Sequence, residues 1–416
     1  MSAAAARRRK QLAKKKEAAA TESDADPVLR QLQTILDNDE DKTEELAYEA
    51  LQLAQSLVRK RAKAADATGA TDLAYSSALV LLEKKHRVSV ASQLLMLLLD
   101  VFTELHVEET EEWLTRLKQL HAAYKLAMDA SKGDMSKIET IRLARLQRDW
   151  LRRCVHWSSE YGTIKYGHFS LQELLGHQSW TLATLLQTQS DTDGAEPAAA
   201  AAEGGLDDED EDDIMDARCD AVVHMALAEQ PDAIATWLSS LPAPTAEELK
   251  TGHVCPPGVR DALYTRSILC FCAMENLRDA NSLVQSYIKV ESRDLKTDLI
   301  KSYVNKDDGI APSHLVFSTS LVRVCEKDAR TGPLFSWLLR SFKKELDKLH
   351  KPQIVHSYTT KIGKIYFNIQ PPPSMMQQME SMMSMMGGGG MGGGGMPAIN
   401  PAMMQAAMAQ MQGGMM

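Results

Sequence analysis

The residues nearest to a reactive constellation are Cys270-Phe271-Cys272. Two thiolates could hold a metal or exchange a disulfide, but zinc requires further Cys or His ligands and none stands nearby. On a helix, positions i and i+2 point to different sides, and with Ile268 and Leu269 just before them the spacing predicts buried packing. The other cysteines, Cys154, Cys219, Cys255 and Cys325, are widely spaced, which predicts a reducing compartment rather than a disulfide framework. The eleven His are scattered, and His350 and His356 do not fit the i, i+4 face of a metal-binding helix. No G-x-x-x-x-G-K-[ST], G-x-G-x-x-G after a strand, G-x-S-x-G or H-E-x-x-H is present. The sequence therefore assigns no catalytic residue, cofactor site or metal ligand, and predicts a protein without enzymatic activity.

Charge supplies more chemistry than nucleophiles do. Arg142, Arg145, Arg148 and Arg152 recur at spacings of 3, 3 and 4, one basic stripe opposite Leu143, Leu146 and Trp150. Such a stripe is a solvated face or, in the sharper reading, a dock for an acidic partner, since guanidinium groups match carboxylates bidentately. Arg59-Lys60-Arg61 complements a helix dipole or meets a partner. A net charge of −9 argues against broad binding to nucleic acid. The longest apolar run, Leu94 to Leu99, is far short of the ~20 residues of a membrane-spanning helix. With no apolar leader, a cytosolic protein is expected.

The elements that carry these residues are helical. Asp26-Pro27 reads as a helix start, and Leu46, Ala50, Leu53 and Leu57 keep one apolar face. The Leu-rich stretches 73–82 and 90–105 read as central helices buried on two sides. Ser136-x-x-Glu139 and Ser170-x-x-Glu173 are expected capping boxes. Further segments run from Ala221 to Phe367, Leu334 to Leu349 among them as one helix. Helix pairs recurring every ~35 to 45 residues predict an all-α fold: a right-handed α-solenoid of about fourteen helices in tetratricopeptide-like pairs. Strands are compatible with one place only, a small hairpin over 298–310.

Composition divides the chain. Residues 1–26, with seven Lys and Arg between Arg7 and Lys16, read as a disordered basic tail. Residues 27–187 and 214–370 form two solenoid halves, separated by a disordered Ala-rich and acidic insertion, 188–213, whose Asp207 to Asp213 lack the pattern of a calcium loop. Residues 371–416 hold 15 of the 22 Met. Met375, Met379, Met382 and Met386 are spaced 4, 3 and 4, as are Met404, Met408, Met411 and Met415, so each set lines one face of a short helix. Methionine suits greasy surfaces of varied shape, so this segment either shields apolar client segments or is a low-complexity extension.

Three segments together resemble the Golgi-to-ER traffic protein 4 family. They are DLAYSSALVLLEKKHRVSVASQLLMLLLDVFTEL from Asp72, VHWSSEYGTIKYGHFSLQELLGH from Val155, and the closing KIGKIYFNIQPPP from Lys361. The resemblance implies a non-enzymatic cytosolic adaptor in the guided entry of tail-anchored membrane proteins into the ER. Its N-terminal helices would bind the pathway's targeting ATPase through Arg59 or Lys60 and an acidic pair on the Leu-rich helix. The second acid is Asp100, but Gln93 stands at the first position. A ubiquitin-like protein, recruiting a co-chaperone, would sit on the C-terminal helices that carry Leu315, Phe317, Leu321, Phe335, Trp337 and Leu338. Apart from the resemblance, if the Met-rich segment shields clients, their transmembrane segments would reach Met375, Met379, Met382, Met386, Met404, Met408 and Met411. No contact with nucleic acid and no insertion into the membrane is implied. The competing reading is a helical scaffold subunit of a proteasome-lid, COP9 or initiation-factor complex, which would end in a winged-helix domain that nothing after Leu349 suggests.

Overall fold

A computed structural model describes residues 27–37, 44–131, 133, 135–193, 208–242, 259–294, 313–327 and 329–369. The basic tail, the expected hairpin over 298–310 and the Met-rich segment lie outside the described residues. What is described is helical, with no strand among it. In the N-terminal half the helices are α1 (Pro27–Asp37), α2 (Glu44–Lys63), α3 (Ala67–Glu83), α4 (Val88–Glu104), α5 (Glu111–Ala130), α6 (Lys137–Tyr161) and α7 (Phe169–Asp193). They continue as α8 (Asp208–Leu227), α9 (Pro231–Ser240), α10 (Val259–Ala273), α11 (Leu277–Asp294) and α12 (Ser313–Cys325). The described chain closes with α13 (Gly332–Ser341), α14 (Lys343–Asp347) and α15 (Pro352–Phe367).

Local chemistry starts and stops these helices. Asp66 accepts from the Gly69 amide at 3.1 Å, Thr110 from Trp113 at 3.3 Å and Ser136 from Glu139 at 3.2 Å, each satisfying an amide left open in the first turn. The second expected capping box is replaced by another device: Ser170 lies inside α7, and the His168 ring nitrogen Nδ1 accepts its amide at 3.2 Å. At the far end Asn368 takes a left-handed conformation (φ 53°), and the Ile369 amide returns to the Gly363 carbonyl at 3.0 Å. Residues 334–349 are two helices, not one, broken at Phe342, whose ring lies 5.5 Å from that of Phe317.

The acidic run also departs from expectation. Residues 208–213 form the first turns of α8, and α7 continues to Asp193, so only 194–207 of the expected insertion lie outside the described residues. Carboxylates in a first turn face the positive end of the helix dipole, which favours helix where like-charge repulsion alone would disfavour it.

In the N-terminal half helices pack on their successors and on the next but one: α2 on α3 and α4, α3 on α4 and α5, α4 on α6. That is the layered contact pattern of a solenoid, in which no single pair buries its own apolar stripe. Leu94, Leu95, Leu98 and Phe102 place α4 at the centre of the first core, where the Phe102 and Trp157 rings meet tilted by 38° with centroids 4.8 Å apart. The second core surrounds α10, buried at 14 of its 15 positions, under α8, α11, α12 and α15. Two of its buried polar groups are tied down by hydrogen bonds: the Tyr287 hydroxyl donates to Asp261 at 2.5 Å, and Arg266 donates to the His350 carbonyl. Cys270 and Cys272 lie in this core, and burial pushes the Cys270 thiol up to about 12, far from a reactive thiolate.

Candidate functional site

Helix α4 presents a second, outward stripe, Ser89, Gln93, Met96 or Leu97, and Asp100, at the i, i+3/i+4 spacing of one helix face. Because α2 packs on one side of α4 and α6 on the other, this stripe floors a groove of about 380 Å³. Gln55 and Arg59 form its α2 wall, and Arg142 and Leu146 its α6 wall. Arg59, Gln93 and Asp100, 41 residues apart along the chain at most, thus meet in one groove. Lys60 is exposed on α2 next to Arg59 but does not line it.

The charges of the groove are arranged in pairs. Arg142 forks onto Glu139, with Nε donating at 2.7 Å and Nη2 at 2.6 Å, and Nη2 also reaches Ser89 Oγ at 3.1 Å. That fork holds the Glu139 carboxyl below the usual carboxylate range. Arg153, one helical step beyond the groove on α6, donates to Asp100 at 2.8 Å. Its guanidinium also lies 4.0 Å from the Met96 sulfur. No carboxylate meets Arg59 among the described residues. Sequence reasoning did not single out Arg153. The detectable signal was the 142, 146, 149/150, 153 register on a helix already known to face α4.

The four-arginine stripe divides between two surfaces. At 100° per residue, Arg145, Arg148 and Arg152 fall within about 60° of one another, with Arg142 at the edge. Arg142 turns to the α4 groove, and the other three turn to α8, lining a second groove of about 450 Å³ with Asp213, Asp216, Asp220 and Lys351. Arg145 donates to Asp213 at 2.7 Å and Arg152 donates to Asp220. Arg148 is half-buried, and burial followed by repulsion from Arg152 lowers its guanidinium. The acidic partner foreseen for this stripe is thus α8 of the same chain. Lys351 donates to Asp216, and His350 Nε2 lies 2.5 Å from its other oxygen. Burial would raise the Asp216 carboxyl, but those hydrogen bonds outweigh it and hold it low. The surface is an ionic clasp joining α6, α8 and the start of α15.

The residues expected to bind a ubiquitin-like partner are mostly structural. Leu315, Phe317, Leu321, Phe335 and Leu338 are at most 2% exposed, and Phe335 stacks on Phe367 at 4.7 Å. They face inward on α12 and α13 because those short helices must cover α10 and α15. Trp337 differs, being 56% exposed beside Leu334 at 48%. The methionines expected to meet client segments all lie outside the described residues. Among the described residues no cluster of His, Cys, Asp and Glu could hold a metal, and no helix is long and apolar enough to cross a membrane.

These features define a class: an α-solenoid whose distinctive surfaces are open grooves lined by paired charges. Residues 64–386 match the model of the family Golgi to ER traffic protein 4, and the chain belongs to that family. Its role therefore lies in Golgi-to-ER traffic. Protein GET4 of Arabidopsis thaliana is 21% identical over 336 residues, covering 78% of this chain and 86% of that protein. A solved structure, the crystal structure of C. therm. Get4, is 16% identical, with 90% of this chain and 99% of that chain covered at a TM-score of 0.47.

Proposed function

We propose that the protein is a non-enzymatic cytosolic adaptor in the post-translational targeting of tail-anchored membrane proteins to the ER. It bridges a targeting ATPase and a ubiquitin-like protein that recruits a co-chaperone. The observation that carries the reading is the α2/α4/α6 groove, which gathers Arg59, Gln93 and Asp100 on one exposed face, as a docking surface requires. Neither wall needs these side chains for its own packing, since the core face of α4 is the opposite one. Lys60 extends the basic rim on α2. The ubiquitin-like partner meets the C-terminal half around Trp337 and Leu334, because a large exposed aromatic with an apolar neighbour is the usual anchor of a protein interface.

A pull-down of tagged protein from extract of its own cells, at low and moderate salt with mass spectrometry of the bound fraction, tests the reading. Recovery of a ubiquitin-like protein together with a targeting ATPase, the latter lost as salt rises, is expected. Recovery of proteasome, COP9 or initiation-factor subunits in their place would refute it.

A further inference from the structure

The turn between α6 and α7 holds Tyr166 between two cations. The residue is 38% exposed, and its hydroxyl accepts from Lys361 Nζ on α15, 195 residues away, at 2.9 Å. Lys165, exposed in the same turn, brings a second ammonium group to 5.2 Å from the ring centre, the same distance as Lys361. Neither lysine meets a carboxylate among the described residues. Two ammonium groups around one phenol oxygen repel each other unless negative charge comes to lie between them. The hydrogen bond from Lys361 already holds the phenol below the usual tyrosine range, against an opposing contribution from burial. Tyr161, five residues earlier, is the contrast. Its hydroxyl donates to the Thr103 carbonyl at 3.3 Å, and the charge of Glu160 beside it opposes a second negative group.

We infer that Tyr166 is a phosphorylation site whose phosphoryl group is received by Lys165 and Lys361. A tyrosine-directed or dual-specificity kinase supplies the group from ATP. The Tyr166 oxygen attacks the γ-phosphorus, the new O–P bond forms as the bond to the ADP oxygen breaks, and the hydroxyl proton passes to the kinase's base. The product carries a charge of about −2 and three strong acceptor oxygens. Set between two ammonium groups on flexible stems, it replaces a hydrogen bond to a neutral oxygen with charge-assisted ones. The effect reaches across the solenoid, because Lys361 belongs to α15, which packs on α10, α13 and α14, whereas Tyr166 follows α6. Phosphorylation therefore braces the closing helix of the C-terminal half against the N-terminal half. The inference is independent of which partners the grooves dock.

The test has two arms. In the first, full-length protein is isolated from its own cells, grown with and without pervanadate to block tyrosine phosphatases. Cleavage after glutamate releases residues 161–173 with both tyrosines. Tandem mass spectrometry is expected to place phosphate on Tyr166, enriched by pervanadate. Phosphate on Tyr161 alone, or only unmodified peptide from cells whose other phosphotyrosine proteins are detected, overturns the inference. In the second arm, phosphotyrosine is installed at position 166 of the full chain by codon reassignment. Its melting temperature is expected to exceed that of the native chain by about 1–2 °C, the scale of exposed ion pairs in a long chain. Lys165→Gln with Lys361→Gln is expected to cancel that rise, while the same two substitutions without phosphate move the melting temperature by less than about 1 °C. No rise, or a rise that survives the lysine substitutions, overturns the inference.

Discussion

Acid should loosen the C-terminal half of this solenoid in good part through one buried imidazole. His314, on α12, is 3% exposed, with Nδ1 3.1 Å from Thr265 Oγ1 on α10 and no hydrogen-bond partner for Nε2 among the described residues. Burial lowers its pKa from 6.5 to about 4, a shift that the nearby Glu345 carboxylate opposes without reversing. A depressed histidine stays neutral in the fold while the unfolded chain takes up the proton, so the stabilisation present above pH 6.5 is lost as pH falls toward 4. For one such group the loss between pH 7 and pH 5 is about 2 kcal/mol. The perturbation is His314→Leu, read by urea unfolding at pH 7 and pH 5. At pH 7 the variant should be about 1 kcal/mol less stable, because Thr265 loses its partner. Between pH 7 and pH 5 it should lose about 2 kcal/mol less than the native chain and so overtake it. Two other depressed imidazoles, His121 and His224, remain in both proteins and leave a shared acid limb. Equal pH dependence in the two chains would refute the reasoning, since it would mean that His314 is charged, or reached by water, in the fold.

Other consequences are simpler. Gly167, at φ 86°, lies in the turn before α7, and a Cβ there would stand 2.7 Å from the Val155 carbonyl; Gly167→Ala should cost about 1–3 kcal/mol in chemical denaturation. Trp337→Asp should leave the melting temperature nearly unchanged while abolishing capture of the ubiquitin-like protein, because the ring is exposed in the free chain. Asp216→Asn should remove part of the acid-side loss of stability, since a carboxyl held low by Lys351 and His350 stabilises only while ionised; after solvent screening about 0.5–1 kcal/mol is expected, visible as a shallower decline of the urea midpoint as pH falls below 4.

Much of the architecture was legible because α-helical periodicity is a local signal. The Leu-rich run 90–105 appears as α4 almost residue for residue, and the Ser136 cap is where its spacing placed it. What sequence could not show was pairing between distant elements. Asp208 to Asp213 read as an open acidic loop until α6 and α8 came together and brought Arg145 and Arg152 onto Asp213 and Asp220, each 68 residues away. Likewise Asp100 read as a free acid because its partner Arg153 is 53 residues distant on another helix. The apolar residues of α12 and α13 carried no mark to separate core from interface; only the packed structure turns Phe335 inward and Trp337 outward, two positions apart on one helix. A helix of ten residues with apolar groups at 334, 335, 337, 338 and 339 has too wide an apolar arc for periodicity to choose its buried side.

The adaptor reading makes its most direct claim about simultaneity. Sedimentation velocity on an equimolar mixture of full-length protein, targeting ATPase and ubiquitin-like protein measures whether the two partners occupy separate surfaces of one molecule. The predicted result is a single ternary species, from which Arg59→Gln removes only the ATPase and Trp337→Asp only the ubiquitin-like protein. Two binary complexes that exclude each other, or a variant at one end that releases both partners, would contradict the account.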